Sequence, residues 1–187
     1  MRKTTLVFAG LLGLGLYEAA SAAIIPVKAV VAQVLLERAF DQSVANKQPV
    51  KPWPWADMIP VARISVPRLK LEAIALSSGS GQALAFGPTF LSGAAGPGMR
   101  GTAVVAAHRD THFRGLGAVK PGDRIIVEGV DGHVTAYRVD ATAVTRWDRF
   151  AVSPDRSTAR LALVTCYPLD ATIHGPLRFV AYATKAG

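Results

Sequence analysis

Residues 4–17 form a run without charge, Glu18 interrupts it, and residues 19–27 are uncharged again. Taken through Glu18, residues 4–27 predict a helix of about 36 Å, enough to cross a hydrocarbon core of about 30 Å. One carboxyl group at depth costs about 2.5–3.5 kcal/mol on insertion scales. Taken only to Tyr17, the run is short for a span and suits a signal-peptide core, with Ala20-Ser21-Ala22 as a small-residue cleavage site. Either way Arg2 and Lys3 hold the N-terminus inside, so the rest of the chain is expected outside the cytoplasm. The uncleaved, single-pass anchor is the preferred reading.

Val27, Val30, Val31, Val34 and Leu35 then recur with helical spacing, while Gln33, Glu37 and Arg38 face elsewhere. They predict an amphipathic helix, with Pro26 near its start, that lies on the membrane or packs on the domain. Residues 48–60 (Gln-Pro-Val-Lys-Pro-Trp-Pro-Trp-Ala-Asp-Met-Ile-Pro) predict a stiff, extended linker. Trp53 and Trp55 suit a bilayer interface; packing of the linker on its own domain is the commoner outcome and the preferred one.

From Val61 the period becomes two. Ala62, Ile64 and Val66 alternate with Val61, Arg63 and Ser65 in a strand that Pro67 ends. Strands are also expected over 69–76, 102–107, 124–128, 133–139, 161–165 and 179–183, with 141–146 extending the sheet. A short helix is expected near 82–86. Gly129-Val130-Asp131-Gly132 is a hairpin signal. Many short strands and few helices predict an all-β domain, a closed barrel or a sandwich. The chain divides into an anchor over 1–27, a helix and linker over 28–57, and a folded domain over 58–187.

Composition narrows the chemistry. Half of the 187 residues are hydrophobic, which excludes wholesale disorder. One cysteine excludes an internal disulfide, a Cys-rich zinc site and an iron–sulfur cluster. The net charge of +8 is spread without a basic run, so no nucleic-acid partner is expected; anionic phospholipid or plain solvation accounts for it.

Cys166 follows one predicted strand, His108 follows another, and Arg178 opens the last. If the last two strands pair antiparallel, Cys166 and Arg178 share a rim; His108 joins them if its strand runs parallel to that of Cys166. An ordinary thiol is only a few per cent thiolate at neutral pH, and a neighbouring imidazole can hold its proton. An arginine offers fixed donors to the oxygen that becomes negative when a carbonyl is attacked. Each residue alone has a plainer reading: a buried small hydrophobe, a structural imidazole, a solvated guanidinium. His108-x-Asp110-x-His112 offers metal-ligand types, but no fourth ligand is apparent and no metal or cofactor is expected. Asp110 and His112 more simply steady His108 or its loop, and His133 and His174 are expected in solvent.

The surrounding residues resemble the sortase family. Leu163-Val164-Thr165-Cys166-Tyr167-Pro168 is similar to its Thr-Leu-x-Thr-Cys nucleophile motif, Ala106-Ala107-His108-Arg109-Asp110-Thr111-His112-Phe113 to the segment bearing its histidine, and Leu177-Arg178-Phe179-Val180 to the strand bearing its arginine. The stretch Lys-Ala-x-x-Ala-Gln-x-Leu-Leu over 28–36 adds to the likeness, which is strongest to the short sortases of Gram-negative bacteria. The resemblance implies an eight-stranded closed β-barrel with short helices behind an N-terminal membrane helix. It implies a cysteine transpeptidase that cuts a Leu-Pro-x-Thr-Gly-like sorting signal on an exported protein and passes the acyl group to an amine. Cys166 would be the nucleophile, His108 the general acid and base, and Arg178 the oxyanion and substrate holder. Ala107, Thr165 and Tyr167 would lie against the bound signal. Ala162 departs from the motif, where threonine is usual. Residues 148–160 correspond to a substrate-selecting loop, here short and basic through Arg149, Arg156 and Arg160. Thiol hydrolysis, with water replacing the amine, and a non-catalytic barrel that binds exported proteins are the rival readings. The setting is the cell membrane, with the domain on the periplasmic face if the cell is Gram-negative.

Overall fold

The computed structural model describes residues 2–77, 80–153, 155–173 and 175–186, with the side chains of 2–10, 16 and 19–26 outside the description. Alternation of apolar and polar residues closes eight strands into one barrel. They are β1 (Pro60–Val66), β2 (Leu71–Leu76), β3 (Thr89–Phe90), β4 (Gly101–Ala106), β5 (Arg124–Gly129), β6 (Val134–Arg146), β7 (Ala159–Tyr167) and β8 (Leu177–Lys185). Their order around the barrel is β1-β2-β3-β4-β7-β8-β6-β5. Closure removes the sheet edges and excludes the sandwich.

Two helices stand outside the sheet, α1 (Arg2–Asn46) and α2 (Gly81–Phe86). The Ser80 side chain caps α2 by accepting from the Ala83 N–H. Between β1 and β2 the chain turns through a short 3₁₀ segment, Pro67–Leu69, with Lys70 in the left-handed conformation at φ 50°. Two details differ from the sequence expectation. The two-residue strand β3 carries too little pattern to be foreseen. The strands expected over 133–139 and 141–146 are one long strand, β6, beginning at Val134, whose register shift between Val139 and Ala141 replaces the expected break. The expected hairpin is present, with the Gly129 N–H donating to the His133 carbonyl at 2.9 Å.

The barrel interior holds the main core, including Ile64, Val105, Phe113, Leu116, Ile125, Tyr137, Leu161, Leu163 and Phe179. A second cluster joins Leu36 and Phe40 of α1 to Met58, Ile74, Leu76 and Ala83. Arg63 pins that contact. Its guanidinium meets Glu37, Asp41 and Glu128 at 2.8–3.1 Å and lies 4.5 Å from the centre of the Phe40 ring.

Helix α1 runs unbroken through Pro26, so no separate helix starts there. Its barrel face is Ala32, Leu36, Ala39, Phe40 and Ser43, all buried, whereas Val27, Val30, Val31 and Val34 are exposed. The valine stripe is therefore not the face that meets the domain. The linker is folded back rather than extended: the Val50 N–H donates to Ser43 Oγ at 2.9 Å and the Ala56 N–H to the Trp53 carbonyl at 3.0 Å. Trp53 packs edge-on against Phe86, with ring centres 5.2 Å apart, as the linker reading expects, but Trp55 is 82% exposed. Among the described residues no helix is long and apolar enough to cross a membrane. Most side chains of the expected anchor over 4–27 lie outside the described residues.

Candidate active site

The pleat decides which residues reach solvent at the upper strand ends. In β7, Leu161 and Leu163 belong to the interior core, whereas Ala162 and Val164 belong to a cluster on the outer face. Successive side chains alternate, so Thr165 points in and Cys166 points out. In β8, Phe179 and Ala181 are interior and Val180 is outer, which puts Arg178 outside. Beyond β4, Val105 and Ala107 are interior and Val104 is outer, which puts the exposed His108 outside.

Pairing then brings the three together in the backbone. β4 and β7 are parallel with Ala106 beside Val164, and the Ala107 N–H donates to the Val164 carbonyl at 3.1 Å. Two residues further along each chain stand His108 and Cys166. β7 and β8 are antiparallel with Cys166 directly opposite Arg178. Neighbouring strands lie about 4.8 Å apart. Both pairings agree with the sequence reading, and the shared rim lies on the outer face of the sheet.

A cleft of about 530 Å³ opens there, lined by His108, Arg109, Asp110, Arg114, Cys166 and residues 169–172. Cys166 is half-buried, reachable by a ligand yet partly shielded. Arg178 lies outside this cleft. Its Nη1 donates to the Gly175 and Leu177 carbonyls at 2.9 and 2.8 Å, and it lines a second cleft of about 330 Å³ with Trp147, Gly175 and Pro176. The backbone thus places Arg178 beside Cys166, while its guanidinium is turned into its own loop.

The three residues expected against a substrate divide differently. Ala107 and Thr165 are buried and face the interior, because they alternate with His108 and Cys166. Thr165 Oγ1 donates to the Ala107 carbonyl at 2.8 Å, which ties β7 to the residue after β4 beneath the site rather than offering its proton to a ligand. Tyr167 is half-buried and packs against the interior core.

Ala162, the departure from the family motif, is fully buried on the outer face among Val104, Val164 and Val180, covered by Phe150 and Val152. The basic residues of 148–160 do not line the main cleft. Arg160 pairs with Asp155 at 3.0 Å, and Arg156 lines a separate cleft with residues 93–96 and 99–102, where β4 begins.

His112 lies in a further cleft with residues 69–72, and burial, then the neighbouring His108, lowers its pKa below the usual imidazole range. Among the described residues no three His, Cys, Asp or Glu side chains come together as metal ligands. His133 is exposed beside Asp131, as expected in solvent; His174 lies outside the described residues.

Sequence reasoning missed Arg109. It is 7% exposed, and its Nη1 and Nη2 donate to the Pro168 and Ile173 carbonyls at 2.8 and 2.9 Å. This buried cation fastens the β7–β8 loop, and with it cleft residues 169–172, to the residue after His108. Its sequence signal was only adjacency to that histidine.

The backbone register thus sets His108, just past the end of β4, next to Cys166 on the parallel strand β7, with Arg178 opposite Cys166 on β8. The sortase domain family matches residues 64–186, and the chain belongs to the sortase family. It is 29% identical over 89 residues to Sortase D of Bacillus subtilis (strain 168), a match covering 48% of this chain and 45% of that protein, so under half of the relative's length is spanned. Its fold resembles Sortase A from Corynebacterium diphtheriae, at 25% identity and TM-score 0.64 over 71% of this chain and 63% of that one. It also resembles Streptococcus pneumoniae Sortase C, at 26% identity and TM-score 0.61 over 67% and 65% of the two chains. The Clostridium perfringens Sortase D5 transpeptidase shares the fold at TM-score 0.68 and 16% identity, over 84% of this chain and 99% of that one.

Proposed function

We propose that this protein is a membrane-anchored cysteine transpeptidase acting on exported proteins outside the cytoplasm. The observation that carries the reading is the register: His108, Cys166 and Arg178 occupy adjacent strand ends on one face, beside an open cleft. The Cys166 thiolate attacks the threonine carbonyl carbon of a Leu-Pro-x-Thr-Gly-like signal. As the C–N bond breaks, His108 gives its proton to the leaving amine and the acyl group remains on sulfur as a thioester. An incoming amine then loses a proton to His108 and attacks the thioester carbon, and the C–S bond breaks. Arg178, once released from its loop carbonyls, holds the oxyanion; one such donor is worth about 2.7–4 kcal/mol of barrier.

The partners are the exported protein bearing a C-terminal sorting signal, the acceptor amine and the membrane lipid around residues 4–27. The test is to incubate the full chain with candidate signal peptides and read the mass of the Cys166 peptide. A thioester adduct that an added amine discharges supports transpeptidation. Discharge by water alone, unchanged by amine, supports the hydrolase. Absence of any adduct across a peptide panel, with Cys166→Ala retaining function in cells, overturns the enzymatic reading.

A further inference from the structure

Helix α1 has two apolar faces, and the barrel covers only one. At 100° per residue, Ala32, Leu36, Ala39, Phe40 and Ser43 gather on the barrel side. Val27, Val30, Val31 and Val34 gather on the opposite side and are each more than half exposed. The stripe stops at exposed Arg38 and Asp41, which lie on the same side one turn or two further on.

A second exposed apolar group stands at the same level. Gln33 Nε2 donates to the Phe86 carbonyl at 2.8 Å, and Phe86 packs on Trp53. The turn closed by the Ala56 N–H on the Trp53 carbonyl then presents Trp55, 82% exposed. An exposed amphipathic ring at the same level as an uncovered apolar helix face suits a headgroup boundary. Exposed Lys28 and Lys51 lie within two residues of Val27 and Trp53; of the nearby acids Asp57 is exposed, while Glu37 and Asp41 are paired with Arg63, and the chain carries +8 overall.

The length agrees. Residues 4–27 match the hydrocarbon core, but residues 4–34 span about 46 Å, close to the 40–45 Å of a bilayer with its headgroups.

We infer that the valine stripe and Trp55 form a seat on the anionic phospholipid interface, so that α1 leaves the bilayer at Val34 and the barrel rests on the headgroups. This rests on the anchor reading proposed above, which the test separates from it. Full-length protein in a Cys166→Ser background is reconstituted into phosphatidylcholine–phosphatidylglycerol vesicles, with single cysteines at Leu12→Cys, Val30→Cys or Arg38→Cys. A membrane-impermeant maleimide is expected to label Leu12→Cys and Val30→Cys about tenfold or more slower than Arg38→Cys. With Trp53→Phe and Trp147→Phe, the remaining Trp55 is expected to be quenched by brominated lipid. If Leu12→Cys is protected while Val30→Cys labels as fast as Arg38→Cys and Trp55 is unquenched, the anchor stands and the seat is refuted. If Leu12→Cys also labels fast, both fall. If Val30→Cys is protected but cross-links to a second copy, with Trp55 unquenched, the stripe is a dimer contact and the lipid assignment is overturned.

Discussion

Replacing Arg109 with alanine removes a buried cation that bridges two carbonyls of the loop after Cys166. Hydrogen bonds from a charged donor contribute about 1.5–3 kcal/mol each. Ile173 is 79% exposed, so part of that loss is recovered by water. The net expectation is a destabilisation of about 2–3 kcal/mol, a fall in Tm of roughly 5–10 °C for a chain of this size. Cys166 and His108 stay on or beside their strands, but the cleft wall over 169–172 loses its fastening. The loss should therefore fall more on KM than on kcat, with kcat/KM down about tenfold, equivalent to about 1.4 kcal/mol. Arg109→Lys, a point charge able to hold one carbonyl, should restore part of both. The assays are thermal unfolding by circular dichroism and steady-state kinetics on a signal peptide with an added amine. An unchanged Tm with unchanged KM in Arg109→Ala would refute the reasoning, and so would a pure kcat defect that lysine does not relieve.

Other perturbations have equally definite outcomes. Cys166→Ala, His108→Ala and Arg178→Ala should each nearly abolish turnover while leaving Tm close to that of the parent, since none of the three is fully buried; normal turnover by Arg178→Ala would remove its assigned role. The Arg68 guanidinium, bonded to both carboxyl oxygens of Asp123 at 2.6 Å, holds that carboxyl at about 2, below its ordinary 3.8, with the Lys120 N–H assisting. The folded state binds its proton less readily than the unfolded chain, so the stability it adds is complete above about pH 4 and is lost as pH falls through about 2. Asp123→Asn should flatten Tm over that window, and an undiminished acid dependence would contradict this. Gly87→Ala should lower Tm markedly, because a Cβ there would stand 2.6 Å from the Ile74 carbonyl oxygen, a backbone atom that cannot swing aside; an unaltered Tm would mean that the close approach relaxes freely.

Several features were legible without coordinates. The strand at 61–66, the hairpin at 129–132 and the short helix near 82–86 follow from local period and turn residues, and each is present within one or two positions. The valine stripe was equally visible, but its partner was not. The barrel takes up the opposite side of α1 through Leu36 and Phe40, whose neighbours Met58, Ile74 and Leu76 come from distant parts of the chain. Arg109 was illegible for the same reason: its carbonyl partners lie 59 and 64 residues away.

The amino-acid order alone placed a thiol, an imidazole and a guanidinium at strand ends, because strand-like runs and the turn residues that stop them are local features; that all three face outward was not legible, since residues 161–164 are apolar on both faces. Which ends become neighbours was decided by the tertiary structure. Barrel closure inserts β7 between β4 and β8, and the resulting register sets His108 and Arg178 on either side of Cys166. It also buried Arg109 in the cleft wall, an outcome that depends on long-range contacts no local pattern encodes.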